Sequence, residues 1–456
     1  MSNKSVMYSA SLIALFALSN ANAAVINATP SDYKGKINAL KPGDTLNLAA
    51  GIYPLMGLSN LKGTQSAWIT IKGPDTGSPA VVSVRPSSPT CCNLVQVDNA
   101  AYLAIKNLKI DSANYPAING LNARGTTHNI LIENCTFVGQ GNGQDNVAIS
   151  TKGTAWNWII RKNKILGAGT GLYLGNSSGN YPFINGLIEQ NLIEDTIGYN
   201  LQIKWQLPYD LPVGLSNAPH ETIIRNNVLI KSKAISEFPA SSLAAPRPNL
   251  LVGGFPASGP GANDYYQIYG NFFYENRDNE ALFQGSGRVV FHDNLMVGGS
   301  YRAANFRNHD LPLKIAYAFN NTIYSRGTGI VVSGTPLASS VAGNLIFADS
   351  GVSAPVASEN IFDALANAGA YVNNPTLTLG AMDFYPKIGS AALSVPFNLT
   401  VFSPHTAYNL DFNGQVKSNS TYRGAYFGEG INPGWIPSRA IKTVAVRAGI
   451  RQPKSR

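Results

Sequence analysis

Charge is the scarcest property of this chain: only 13% of its 456 residues are Asp, Glu, Lys or Arg. That scarcity excludes charge-laced coiled coils and helical bundles, whose composition is dominated by Ala, Glu, Lys, Leu and Arg. It does not imply disorder, because 44% hydrophobic residues can bury a large core. Cysteine is nearly absent as well. Cys91, Cys92 and Cys135 are the only three, too few for a disulfide scaffold. Either one of the adjacent pair bridges to Cys135, leaving one thiol over, or Cys135 is a buried unpaired thiol. No apolar run is long enough for the roughly 20 residues of a membrane span. Walker loops, dinucleotide fingerprints and CxxC pairs are also missing, which removes the functions they serve.

Glycine (44), proline (27) and asparagine (47) are abundant instead. The two ends carry separate messages. In residues 1–23, Lys4 is the only charge, Ala10 to Leu18 are apolar, and Ala21-Asn22-Ala23 has the small-x-small pattern of a cleaved export signal. An exported, periplasmic or extracellular protein is therefore expected. Residues 437–456 hold six Lys or Arg and no acid, and read as a basic, solvated tail. The body between them is close to neutral, so the basic pI gives no case for a nucleic-acid partner.

An internal repeat organises the body. Leu103-Ala-Ile-Lys-Asn107-Leu-Lys-Ile110 recurs as Ile130-Leu-Ile-Glu-Asn134-Cys-Thr-Phe137, and then around Asn163, Asn191, Asn227, Asn271, Asn294, Asn321, Asn344 and Asn360. Each unit is a short β-branched strand, an Asn, and a second short strand. Asn tolerates the left-handed backbone of a sharp corner, and its amide can bond to the Asn of the next coil. Intervals of mostly 23 to 29 residues give an all-β fold, a single-stranded right-handed parallel β-helix. The expected domain covers 24–436, with an N-terminal cap at 24–60 and a closing segment at 375–436. Two long intervals, Asn191 to Asn227 and Asn227 to Asn271, carry insertions, and inserted loops on a solenoid commonly form its binding face. Gly253-Gly254 and Gly298-Gly299 read as tight turns.

Ala39-Leu-Lys-Pro-Gly-Asp-Thr45, Ala50-Gly-Ile-Tyr53, Ile69-Thr-Ile-Lys-Gly73, and the closing Asp411-Phe-Asn-Gly followed by Arg423-Gly-Ala-Tyr426 resemble exported right-handed β-helix proteins of the alginate lyase and chondroitinase B group. That resemblance implies the fold, export and a saccharide-directed activity. Function in that group rests on a Lys and, one coil later, an Arg followed by His-Gly. Asn305-Phe-Arg307-Asn-His309-Asp310 resembles the second part, while Phe283-Gln284-Gly285 stands where the lysine would be.

Counting from the corner asparagines gives a second handle. Lys204, Gln284 and Arg307 lie thirteen residues after Asn191, Asn271 and Asn294, and Gln206, Ser286 and His309 lie fifteen after them. Equal offsets suggest shared columns on one face beneath the insertions, with Arg247 added from the intervening coil. Lys204, Arg307 and His309 are thus the candidate catalytic residues, and Arg247, Gln202, Gln206, Gln284, Glu280, Trp205 and Tyr265 the candidate substrate contacts. Such a set suits proton abstraction beside a carboxylate: Arg or Lys neutralises the acid, and His309 or Lys204 takes the proton. A monomeric lyase cleaving an acidic, uronate-containing polysaccharide by β-elimination is the expectation. A C5 epimerase shares its first step. A glycoside hydrolase needs two flanking carboxylates, for which Glu237 with Glu280 or Asp310 are the candidates. A non-catalytic saccharide binder would use Trp205, Tyr209, Phe255, Tyr265 and Tyr266 as stacking surfaces. No cofactor is fixed; Ca²⁺ is an option through Glu237, Asp264, Asp278, Glu280 and Asp310, although their spacing forms no ligand loop.

Overall fold

The short apolar and β-branched runs of the repeat become strands that pair only with their counterparts in the next coil. The computed structural model describes residues 23–84, 93–239, 244–418 and 421–444. Cys91, Cys92, nearly all of the expected export signal and the last twelve residues of the basic tail lie outside the described residues. Three long parallel sheets wind into one right-handed β-helix. Sheet A runs from Val25–Ala28 to Ala357–Ser358, sheet B from Gly51–Pro54 to Ile361–Asp363, and sheet C from Met56–Ser59 to Ser350–Ser353. Inward residues such as Ile160, Leu172, Ile203, Ile224, Phe283 and Phe306 stack into a continuous apolar core. The helix Tyr33–Asn38, which buries Tyr33 and Ile37, packs at the N-terminal end.

The A-to-B corner holds the asparagine ladder. Asn163 Nδ2 donates to Asn191 Oδ1 at 3.0 Å, Asn191 to Asn227 at 2.9 Å, and the chain continues through Asn271, Asn294, Asn321 and Asn344 to Asn360. The left-handed residue of these corners, however, is the one before the Asn: Lys162, Gln190, Asn226, Gly270 and Asp293 have φ between 51° and 66°. Asn107 and Asn134 are themselves left-handed, with φ of 57° and 53°. Register confirms the offset, since Glu133 pairs with Arg161, so Cys135 rather than Asn134 stands at the foot of the ladder and donates its N–H to Asn163 Oδ1. The two roles assigned to a single Asn are therefore divided between neighbouring residues. Cys135 is a free, buried thiol whose desolvation pushes its pKa up to about 12.

The closing segment decides which face stays open. Phe384, Tyr385, Phe412, Ala425 and Tyr426 pack on the outer side of sheet B against Val228, Phe272 and Leu345. Leu399 and Phe402 cover the end of sheet A against Val290 and Phe319. Asp411 staples the segment together by accepting N–H bonds from Asn413, Gln415 and Phe427, and Arg423 donates to Glu359 at 2.7 Å. Residues 437–444 of the basic tail are not a solvated extension. Lys442 is fully buried and donates to the carbonyls of Gly270 and Phe412, and Arg439 pairs with Glu194.

Candidate functional site

Strand register on sheet C fixes the columns that sequence counting could only approximate. Tyr173, Gln202, Leu251, Gln284 and Asn305 form one outward column. Two residues further along each strand the next column reads Gly175, Lys204, Gly253, Ser286 and Arg307, and Lys152 continues it one coil before Gly175. Lys204 and Arg307 thus share a column, as expected. Gln284 does not: it falls beside Gln202, because Phe283 follows its corner Asn by two more residues than Leu201 or Ala304 does. Ser286, expected in the column of Gln206 and His309, falls in the Lys204 column instead and is fully buried.

Lys204, Gln202 and Arg247 line a cleft of about 310 Å³ with Lys152, Tyr173, Tyr199, Asp145 and Gln144. The second insertion places Arg247 there. Gln144 clamps the backbone of Ala245 from both sides, donating to its carbonyl at 3.0 Å and accepting its N–H at 3.2 Å. The carbonyl of Arg247 accepts bonds from buried Lys231 and from Asn276, each at 2.9 Å, so the guanidinium is carried on a fixed backbone, 5.6 Å from the Tyr199 ring.

His309 and Asp310 approach from the other edge. Asn308 accepts the N–H of Leu313 at 2.9 Å, and Leu311 sits against Gly254, where a side chain would come within 2.5 Å of it. A Cβ on Gly253 would come within 2.2 Å of the Trp205 backbone. Neither glycine has positive φ; the pair serves close approach, not a tight turn, whereas Gly298 and Gly299, at φ 83° and 78°, are the expected turn residues.

The electrostatics follow from this crowding. Burial, then the charge of Lys204, lowers the pKa of Lys152 to about 8. Lys204 is lowered by burial and by Arg247, against the pull of Asp310. His309 is lowered by burial first and then by Lys204, Arg307 and Arg247, with Asp310 opposing them, so its imidazole is neutral at neutral pH. Burial raises Tyr173 and Tyr199, which keep their protons. Among the described residues, Lys152, Lys204 and Arg247 form no ion pair within 4 Å, and the carboxylate that acts on Lys204 is that of Asp310. Lys152 Nζ instead rests 3.7 Å over the Tyr173 ring.

Several sequence candidates lie elsewhere. Gln206 is buried and donates to the carbonyl of Phe183. Trp205 packs against Gly179. Tyr265 belongs to sheet A, beside Arg288 and His405. Phe255 and Tyr266 stack on each other in the core at 4.6 Å. Glu280 bonds the N–H of Ala281 and reaches the site only through its field on Tyr199. Arg307 and His309 are on the outside, not in the core. Lys152, Tyr173, Tyr199, Gln144 and Asp145 escaped the sequence reading. The signal that could have found Lys152 was its place one coil before Gly175, in the Gly-rich coils that lack insertions.

The Ca²⁺ option finds no ligand set: among the described residues no three His, Cys, Asp or Glu side chains are grouped to hold an ion. Asp145 is the one carboxylate of the cleft lining, whereas Ca²⁺ takes six to eight oxygens.

No family model and no curated protein matches the chain. Among solved structures it is similar to an alginate lyase from Paenibacillus sp. str. FPU-7, with 14% identity, 75% of this chain and 99% of that one covered, and a TM-score of 0.37. It is similar to the pectate lyase Pel9A at 12% identity, over 89% of this chain and 96% of that one, with a TM-score of 0.45. A third is a polysaccharide lyase of family PL6 from Pseudopedobacter saltans, at 12% identity, 75% and 93% coverage and a TM-score of 0.40.

Proposed function

We propose that this is an exported lyase that cleaves an acidic, uronate-containing polysaccharide by β-elimination. The observation that carries the reading is the set of three half-buried cations, Lys152, Lys204 and Arg247, that meet at one open cleft and, among the described residues, form no ion pair with a carboxylate. Desolvated cations are costly unless an anion completes them, and an acidic polymer supplies that anion. Lys204 and Arg247 then neutralise the carboxylate of the reacting sugar, Arg247 with a planar fork that matches it. Neutral His309 takes the C5 proton; the electron pair forms the C4–C5 double bond as the C4–O bond breaks. The departing oxygen receives a proton from Tyr199 or Tyr173, whose raised pKa values keep the hydroxyl protonated. Arg307, on the far side of His309, holds the neighbouring unit.

A hydrolase fits less well. Glu237 is taken by Arg277 at 2.7 Å and by the N–H of Ala234, and no two carboxylates face each other across the cleft lining. Incubating the protein with a panel of polyuronates and following the ultraviolet absorbance of the unsaturated product tests the reading. A rise is expected, and His309→Ala abolishes it. The acid limb of the rate profile should lie below 6.5, the ordinary imidazole value. No absorbance, with C5 hydrogen exchanging into D₂O, would identify an epimerase; neither signal on any polyuronate would sink the proposal.

A further inference from the structure

We infer that the polysaccharide lies parallel to the helix axis along sheet C, and that Lys152 binds the carboxylate of a second sugar unit, two coils away from the one held by Lys204. The inference rests on the function proposed above and adds a direction and a second subsite to it.

Two features set the direction. Arg247 and Tyr199 stand just before their sheet C strands, Leu250–Val252 and Leu201–Ile203, whereas His309 and Asp310 follow theirs, Arg302–Phe306. The walls therefore flank the strands on both edges, and the trough between them runs from coil to coil. Along its floor the column alternates charge with nothing: Lys152, Gly175, Lys204, Gly253. Gly175 has φ of 84°, and a Cβ on it would come 3.3 Å from the Lys204 Cβ, so it leaves a notch between the two lysines.

Neighbouring strands stand about 4.8 Å apart, which separates the Lys152 and Lys204 backbones by about 10 Å across two such steps. In an extended polyuronate, successive units turn opposite faces to the protein, so carboxylates on one side recur on every second unit. The two-coil gap matches that recurrence, with the intervening ring over Gly175. Lys152 has the attributes of a waiting ligand group: it is half-buried and leans on Tyr173 at 3.7 Å. Among the described residues it has no carboxylate partner. On this arrangement acidic groups are needed only on alternate units, and the unit over the notch is free to be neutral.

The test is calorimetric binding of size-defined oligogalacturonates and oligomannuronates, dimers to octamers, to the full-length protein in a His309→Ala background that stops turnover. Affinity should rise about tenfold, or 1.4 kcal/mol, at the length that first spans both lysines. Lys152→Gln should erase that step and Lys152→Arg should keep it, each shown to be folded by cooperative thermal unfolding. A step that persists in a folded Lys152→Gln protein, or binding with no length step at all, overturns the subsite while leaving the lyase reading in place. Failure of every oligouronate to bind overturns both.

Discussion

Two groups of desolvated cations in this molecule have opposite surroundings. Along the closing segment, Lys417 pairs with Asp293 at 2.6 Å and bonds the Gly424 carbonyl at 2.8 Å, and Lys442 bonds two carbonyls at 2.6 Å each. Lys231, behind the cleft, bonds the carbonyls of Gly198 and Arg247. At the cleft, Lys152, Lys204 and Arg247 have no such partners among the described residues and are only partly shielded. The first group is finished by the fold. On the proposed function, the second is finished by the carboxylates of the substrate. The difference teaches how to separate structural from ligand-binding cations when the residue types are the same: by asking which ammonium groups already have their acceptors.

The sharpest way to break this comparison is Lys417→Met. It would strip the ammonium from buried Asp293 and leave it, among the described residues, only His292 Nδ1, at 2.9 Å, and removing one member of a buried pair costs about 3–5 kcal/mol. Denaturant unfolding should show that loss, while activity per folded molecule stays at wild type; an activity loss at full stability would put Lys417 in the wrong group. Next in size is Lys204→Ala, expected to cut the elimination rate about 100-fold, as for removal of one transition-state charge stabiliser. Its thermal midpoint should hold or rise, because repulsion with Arg247 and Lys152 is relieved. A fall in stability that matched the fall in rate would contradict the assignment.

The ladder offers a similar contrast at smaller cost. Asn227→Gly removes an amide bonded to Asn191, Ile188 and Asn271 and should cost about 2 kcal/mol for the groups left unpaired. Asn134→Gly, at a left-handed position that glycine tolerates, should cost far less in the same unfolding experiment. The last contrast is a pH dependence. Lys152 is near 8 when folded and 10.5 as the ordinary value, so the folded state disfavours its charged form. Lys152→Met should therefore be more stable than wild type at neutral pH, and the gap should close as pH rises from about 8 to 10.5. A gap independent of pH would show that the lysine is not desolvated.

How far the sequence could be read depended on how local the cause was. The corner asparagines exposed the coil length and hence the fold, because each coil repeats the same short-range demand for a turn and a buried amide. The same regularity misplaced the ladder by one residue at Asn134, since the left-handed residue and the ladder residue are neighbours and both are Asn somewhere in the chain. Offset counting joined Lys204 to Arg307 correctly, then failed at Gln284, where the turn before Phe283 is two residues longer. Loop length is invisible to a count that assumes equal coils. Aromatic residues near the insertions drew attention to Phe255, Tyr265 and Tyr266, yet Tyr173 and Tyr199 line the cleft, because facing depends on strand register and not on proximity to a loop.

By itself the sequence determined the parallel β-helix, through strand, corner and strand repeated with an Asn whose amide bonds to the Asn of the next coil and to the backbone of the preceding one. It also determined which residue types were available for an acidic ligand. Only the tertiary structure decided which of them meet. Lys152 and Lys204 come from coils two turns apart, Arg247 is swung in by an insertion pinned to Gln144, and His309 is folded across by a turn resting on Gly254. Those contacts are set by register, loop length and the space that absent side chains leave, which no single stretch of the chain records.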